Sequence, residues 1–474
     1  MIIFLILKGF FFVTTLSAGT VEIPTGEEWM GIYFKGTKLG FSKAVTSYSG
    51  DNYRVDSRVY FRLSTAGIDQ ITSFTQEVEL DSNLKIKSFS LLQEINASRH
   101  LTIARRVGNA FSMKISSAGF NEEKLIPFDP EATLSSTFGL NIISGGLEVG
   151  RKGRLPIFLE AFRTFSEVKY EIQGRQKIYY NGDFVNAFVI HNVVAGMEST
   201  LWVAPNGKLL REVSQDGFES LAESPKKAQD LGDEAVSINS LITMSLVKPQ
   251  GEIKNPRNLR FLKVRLLNLR ARTSVQEDQR QKLVEVEKVS GGWEATLTIN
   301  SEAQEIIEKG YKESFIDPAM LEDTSEIQSK NPMIQALAKK ISFEKKDAWQ
   351  IVQAINDWVY LNMEKALVDT LTATDALIEL KGECQAHANL FVALSRAAGI
   401  PARVVSGLVY SSEYKGFLYH AWAEVYVNGW RAMDPTFGQN LVDATHIKLG
   451  VRDQQNPLNL MEFVGKLQIQ LLDF

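Results

Sequence analysis

Cysteine is almost absent: 474 residues contain one, Cys384. This excludes an internal disulfide framework and any cysteine-rich zinc or iron–sulfur site. Whatever that sulfur does, it does without a partner thiol in the same chain. Net positive charge is missing too. The formal charge is −4 and the isoelectric point about 5.9, so the electrostatic footprint of a nucleic-acid binder is lacking and no nucleic-acid partner is expected. The 13 prolines and 33 glycines are too few for a fibrous or disordered chain. Hydrophobic residues at 44% and charged residues at 23% give a globular composition with material for large cores, not a multispanning one. At 53.1 kDa the chain is long enough for two to four packed units, taking about 150 residues per domain.

Residues 1–20 are apolar apart from Lys8 and a few hydroxyls, and they end in Ser17, Ala18 and Gly19. The pattern reads as a secretory leader, residues 1–18, with Lys8 closing the n-region and cleavage near Ala18. The competing readings are an uncleaved anchor and a buried strand. An anchor would need about 20 apolar residues and would carry Lys8 near mid-membrane at a cost of about 2.5–3.5 kcal/mol. Export to the periplasm or cell envelope is therefore expected, with no membrane span in the mature chain. A lone thiol has none of its own to mispair with in an oxidising compartment.

From about residue 25 to 220 the apolar pattern has period two: Tyr53, Val55, Val59, Phe61 and Leu63 share one parity, as do Val168, Tyr170 and Ile172. Between such runs lie hairpin signals, Ser49-Gly50-Asp51-Asn52, Asn181-Gly182-Asp183 and Pro205-Asn206-Gly207. These features predict a β-rich antiparallel domain over 19–225, with Trp29–Phe41 and Leu201–Glu212 as its first and last strands. The polar stretch 220–235 reads as a linker. A linker and smaller β segment fill 226–325, where Arg257, Arg260, Lys263, Arg265, Arg270 and Arg272 read as a solvated strand face rather than a polyanion site. Beyond 325 the period becomes helical. Met333, Ile334, Leu337 and Ala338 make one stripe, Trp349, Val352, Ile355, Trp358 and Val359 another, and a buried helix runs from Cys384 until Gly399 and Pro401 end it. Short strands follow, so 326–474 reads as an α+β domain and the whole as multidomain.

Cys384 stands at the first turn of that buried helix, where unpaired N–H groups and the positive end of the macrodipole stabilise a thiolate. Such a thiol still needs a base and a group to orient it. His420 opens the strand HAWAEVYV, and Asp434 closes WRAMD before Pro435. Cysteine, histidine and aspartate in that order supply a complete thiol triad. A two-residue turn at Asn428-Gly429 would put His420 and Asp434 on opposite faces; a three-residue loop, Val427-Asn428-Gly429, puts Tyr426 against Trp430 and brings them to one face. The bulged hairpin is therefore predicted. Gln385, His387 and Trp422 are possible site-lining residues, and Gln385, Trp349 and Trp358 are candidates for a second oxyanion donor beside the Cys384 N–H. His387, one turn after Cys384, reads as packing beside the thiol, and His446 as structural. A zinc site from Cys384, His387 and His420 lacks a second close pair of ligands, so no metal is expected.

The segments GECQAHANLFVALSRAAGIPARVVSG, YHAWAEVYVNGW, MDPTFGQ and DATHIKL resemble the core of the transglutaminase-like superfamily in its bacterial branch. The resemblance covers roughly residues 330–450. It implies a papain-like Cys-His-Asp thiol triad on Cys384, His420 and Asp434, in a family whose members include crosslinkers, deamidases, peptidases and inactive relatives. Animal crosslinking members use calcium, but no acidic calcium loop is visible here and no cofactor is expected. The expected function is thiol-dependent cleavage or acyl transfer at amide bonds of a protein or peptide, with hydrolysis favoured. The alternative is a catalytically inactive binding or assembly module of the cell envelope.

Overall fold

The structure is a computed structural model that describes residues 25–65, 68–232, 236–237, 246–272, 274–302, 317–366, 370–451, 463 and 465–474. The leader expected at 1–18 lies outside them. The chain forms two compact units: residues 1–116 with 121–240, and residues 117–120 with 241–474. Among the described residues no helix is long and apolar enough to cross a membrane.

The first unit is built on one sixteen-stranded sheet. Eight strands form a meander: β1 (Gly26–Phe34), β2 (Thr37–Ser49), β3 (Asn52–Thr65), β4 (Ile68–Asp81), β5 (Ile86–Ile95), β6 (Ser98–Val107), β7 (Ala110–Ser117) and β8 (Phe120–Pro127). After β9 (Thr133–Leu134) and α1 (Phe138–Ser144) come β10 (Lys152–Leu159), β11 (Thr164–Tyr180), β12 (Asp183–Val194), β13 (Met197–Val203), β14 (Leu209–Ser214) and β15 (Phe218–Ala222). Pairing is antiparallel except for β9 with β10, and for β16 (Val236–Ser237) beside β3. The parity set on β3 is the buried one: Val55, Val59, Phe61 and Leu63 all face inward. Two of the hairpin signals form two-residue turns with both residues at positive φ, Gly50-Asp51 and Asn181-Gly182, the backbone that matches strand twist.

The last strand differs from the expected one. Leu201–Glu212 covers parts of β13 and β14, and it is β15, which runs into the stretch read as a linker, that pairs with β1. FESLA is too short and polar to show alternation, yet Phe218 is buried against Phe34, ring centroids 5.0 Å apart. Part of the supposed linker is also helical: α2 (Pro225–Gln229) is capped by Ser224 and buries Ala228.

In the second unit, β17 (Phe261–Leu269), β18 (Gln281–Val289) and β19 (Gly292–Asn300) come first. Next are α3 (Pro332–Ser342), α4 (Ala348–Asn362), β20 (Glu364–Lys365), α5 (Ala373–Glu379), β21 (Lys381–Gly382) and α6 (Cys384–Ala397). The chain continues through β22 (Ala402–Ser411), β23 (Gly416–Tyr426), β24 (Trp430–Met433) and β25 (Ile447–Val451), and β26 (Gln468–Asp473) returns to pair with β17. The smaller β segment of 226–325 thus shares its sheet, ordered β18-β19-β17-β26, with the chain's last strand. Side-chain caps start three helices: Asn331 accepts from Met333 N–H, Asp347 from Gln350 N–H and Thr372 from Asp375 N–H. α6 is apolar on nearly every side because it is the centre of a core, with Leu390, Phe391, Val392 and Leu394 fully buried among α3, α4, α5 and the inner face of β22 and β23. The antiparallel sheet β24-β23-β22-β25 covers it. Leu408, Tyr410, Phe417 and Ile447 from that sheet share a second core with Leu262, Val264 and Leu266 of β17.

Candidate active site

Cys384 is the first residue of the fourteen-residue helix α6, with Glu383 as its N-cap, and its thiol is partly exposed. The full length of α6 lies behind it, so its sulfur meets the unpaired N–H groups of the first turn. β20 and β21 pair in parallel just ahead of it, Lys365 opposite Gly382.

The β23–β24 hairpin has the register that the site requires. Tyr426 pairs with Trp430 and Ala423 with Met433, leaving Val427, Asn428 and Gly429 as a three-residue loop. Asn428 takes the left-handed conformation at φ 52°, Gly429 has φ 110°, and Val427 N–H donates to the Gly429 carbonyl at 2.9 Å. The fully buried Arg431 fastens the loop, donating to the Val427 and Asn428 carbonyls at 3.2 and 2.7 Å and to Glu302 at 2.9 Å. A one-residue slip here would move Asp434 to the other face.

Asp434 follows β24 directly and begins a closed turn. Its N–H and C=O exchange 2.9 Å hydrogen bonds with Gln439, and its Oδ1 accepts from the N–H groups of Thr436 and Phe437 at 2.7 and 3.2 Å. Gly438 completes the turn at φ 66°, where a Cβ would lie 2.7 Å from the Tyr360 ring. Asp434 Oδ2 accepts from His420 Nε2 at 2.7 Å and from His446 Nε2 at 3.0 Å. These are N–H···O distances to one shared oxygen. The carboxylate therefore holds four hydrogen bonds while wholly buried.

His420 feels the Cys384 sulfur electrostatically as well as the hydrogen-bonded carboxylate of Asp434. Burial disfavours its charged form, but Asp434 and Cys384 outweigh burial and push its pKa up to about 10. Burial would raise the Asp434 pKa; His420 and His446 hold it well below the carboxylate range instead. The combination favours an imidazolium at His420 backed by an ionised carboxylate. Phe437 stacks on His420, centroids 5.0 Å apart, and two cations lie over the Phe437 ring: Arg257 at 4.5 Å and Lys365 at 5.3 Å.

The other residues singled out in the sequence have distinct places. Gln385 is half-buried in the first turn of α6. His387 is buried on the same helix with Nδ1 2.9 Å from the Glu383 carbonyl, and burial lowers its pKa, which keeps it neutral. Trp422 is fully buried with Val405, Ala432, Val442 and Val451, and its ring stacks on His420 at 6.2 Å. Trp349 and Trp358 lie on α4 and pack against the α6 core. Arg257 is the residue the strand-face reading misplaced: it bonds Asp443 at 2.9 Å and the Tyr410 carbonyl, and so belongs to the site's support. His446, which the sequence reads as structural, touches Asp434. Its position in a loop ahead of β25 carries no periodic signal; only the DATHIKL segment pointed to it.

Residues 335–435 match the model of the transglutaminase-like superfamily. A segment of 87 residues is 39% identical to the kyphoscoliosis peptidase of Mus musculus, covering 16% of this chain and 12% of that protein. Among solved structures, similarity extends to a candidate cysteine protease from Cytophaga hutchinsonii, over 44% of this chain and 82% of that one, at 21% identity and a TM-score of 0.31. It also extends to a candidate protease from Parabacteroides distasonis, over 86% and 69%, at 11% identity and a TM-score of 0.20. The family match carries the identification, since its span includes the Cys384 helix and the hairpin from His420 to Asp434: residues 335–435 form a transglutaminase-like domain within the second unit of the chain.

Proposed function

We propose that this domain is a thiol hydrolase acting on amide bonds of a protein or peptide in the cell envelope. The observation that supports this best is the accessible Cys384 at a helix N-terminus, in electrostatic reach of a histidine whose Nε2 is held by a buried carboxylate. The Cys384 thiolate attacks the amide carbonyl carbon and forms an S–C bond. His420 then gives its proton to the departing nitrogen as the C–N bond breaks, leaving a thioester. Water attacks the thioester, His420 takes its proton, and the S–C bond breaks to release the acid and restore the thiolate. Asp434 holds the imidazole in the tautomer and orientation these transfers need. The Cys384 N–H, in the first turn of α6, stabilises the oxyanion, and Gln385, Trp349 and Trp358 are the candidates for a second donor.

Hydrolysis is favoured over amine transfer because water at about 55 M wins unless a site excludes it and positions an amine. The test is incubation of the purified chain with a peptide mixture and a primary-amine probe, in wild type and Cys384→Ala. The expected result is Cys384-dependent new amino termini or ammonia release with little probe incorporation. Predominant incorporation would make the domain a transferase. No Cys384-dependent product of any kind would favour a non-catalytic envelope module.

A further inference from the structure

His446 lies outside the residues matched by the family model, yet it is fully buried against the site's carboxylate. Its Nε2 lies 3.0 Å from Asp434 Oδ2, and its Nδ1 is 3.5 Å from Asp443 Oδ1 on the other side. Asp443 is itself fixed by Thr445 N–H at 2.8 Å, by Gln439 at 3.0 Å and by Arg257 at 2.9 Å. Edge-on contact with Trp422, centroids 5.2 Å apart at 85°, sets the plane of the ring. The strands make room for it. Gly407 pairs with His420, and a Cβ there would lie 2.0 Å from the Ile447 carbonyl, so only glycine lets the chain just after His446 approach this closely.

We propose that His446, backed by Asp443, is a positioning residue that fixes the Asp434 carboxylate in the orientation that holds His420. The inference rests on the reading of Cys384, His420 and Asp434 given above. In each cycle His420 takes and returns a proton, so its own bond to Asp434 changes strength as its charge changes. The backbone donors from Thr436 and Phe437 bind only Oδ1. His446 is the partner of Oδ2 that keeps the same contact throughout. A residue kept only for packing has no need of a nitrogen beside a buried carboxylate, where an imidazole is costly to desolvate unless it is bonded.

The test follows alkylation of Cys384 by iodoacetate against pH in the full chain, whose single cysteine makes the measurement site-specific. The charged and titratable groups around the pair are Cys384, Asp434 and His446 facing His420, Asp443 behind His446, His387 on α6, and Lys365 and Arg257 across Phe437. The alkaline limb reports loss of the His420 proton. In His446→Phe, of similar shape but without the N–H, the freed carboxylate holds the imidazolium less well. The limb then moves down by about one pH unit or more, so that alkylation at a pH on the wild-type limb slows up to about tenfold while the rate at pH 7 changes little. His446→Gln, whose amide nitrogen reaches the same oxygen, keeps the wild-type limb, whereas His446→Asn, a methylene shorter, behaves as His446→Phe. Should His446→Phe not fold, the Gln and Asn variants carry the comparison by their difference in reach. A wild-type limb in both Phe and Asn variants, or a Gln variant as impaired as they are, overturns the proposal. If the wild-type thiol itself titrates as an ordinary cysteine near pH 8.5, the triad reading fails and this inference falls with it.

Discussion

Cys384→Ala is expected to lose turnover by about five to six orders of magnitude, the scale seen when a covalent nucleophile is removed from an intact triad. The loss belongs to the chemistry and not to the fold. Cys384 is the first residue of α6 and partly exposed, alanine is the best helix former, and the core residues of α6 begin behind it at Ala386. Stability should therefore change by less than about 0.5 kcal/mol. The check is kcat on a peptide substrate identified as above, beside a thermal melt. Retained turnover with an unchanged melt would remove Cys384 from the reaction.

Asp434→Asn carries the second largest expected effect, a fall in kcat of about three to four orders of magnitude. Oδ1 accepts two backbone N–H groups, so the amide oxygen of an asparagine would take that place. Its NH2 would then point at the Nε2 atoms of His420 and His446, both of which donate to Oδ2 in the wild type. To accept from it, His420 must shift its proton to the nitrogen facing Cys384, and a thiol cannot pass its proton to a nitrogen that already holds one. The substitution also affects stability. Because the folded-state pKa of Asp434 lies below its unfolded value, its contribution is present above about pH 4 and is lost as pH falls through the folded value. The variant lacks that contribution at neutral pH. Single-turnover acylation together with denaturant melts separates the two effects; wild-type acylation would show that Asp434 orients nothing.

The parts of the site legible in the sequence are those set by local pattern. The period-3.6 run after Cys384 marks a helix start, and strand parity together with the need for His420 and Asp434 on one face selects between two hairpin registers, of which the three-residue loop is the one found. What stayed hidden depends on distant partners. Ser220 to Ala222, the second half of β15, read as linker because their strand character comes from pairing with β1. Arg257 reads as one cation in a basic strand face because nothing near it in sequence reveals Asp443 and Tyr410 as its partners. His446 sits in a loop, where neither period applies, and its contact with Asp434 is made across twelve residues of irregular chain. Pairing of β17 with β26 likewise joins segments some 200 residues apart, a separation no local pattern encodes.

The central claim is that Cys384 and His420 form a thiolate–imidazolium pair at neutral pH, and the pH dependence of Cys384 alkylation in the wild-type chain tests it most directly. The account predicts fast alkylation already between pH 5 and 7, with an alkaline limb well above the usual histidine pKa and tending toward 10, because Asp434 and Cys384 hold the His420 proton. A single ionisation near pH 8.5, with no enhancement at pH 7 over a free thiol, would contradict it.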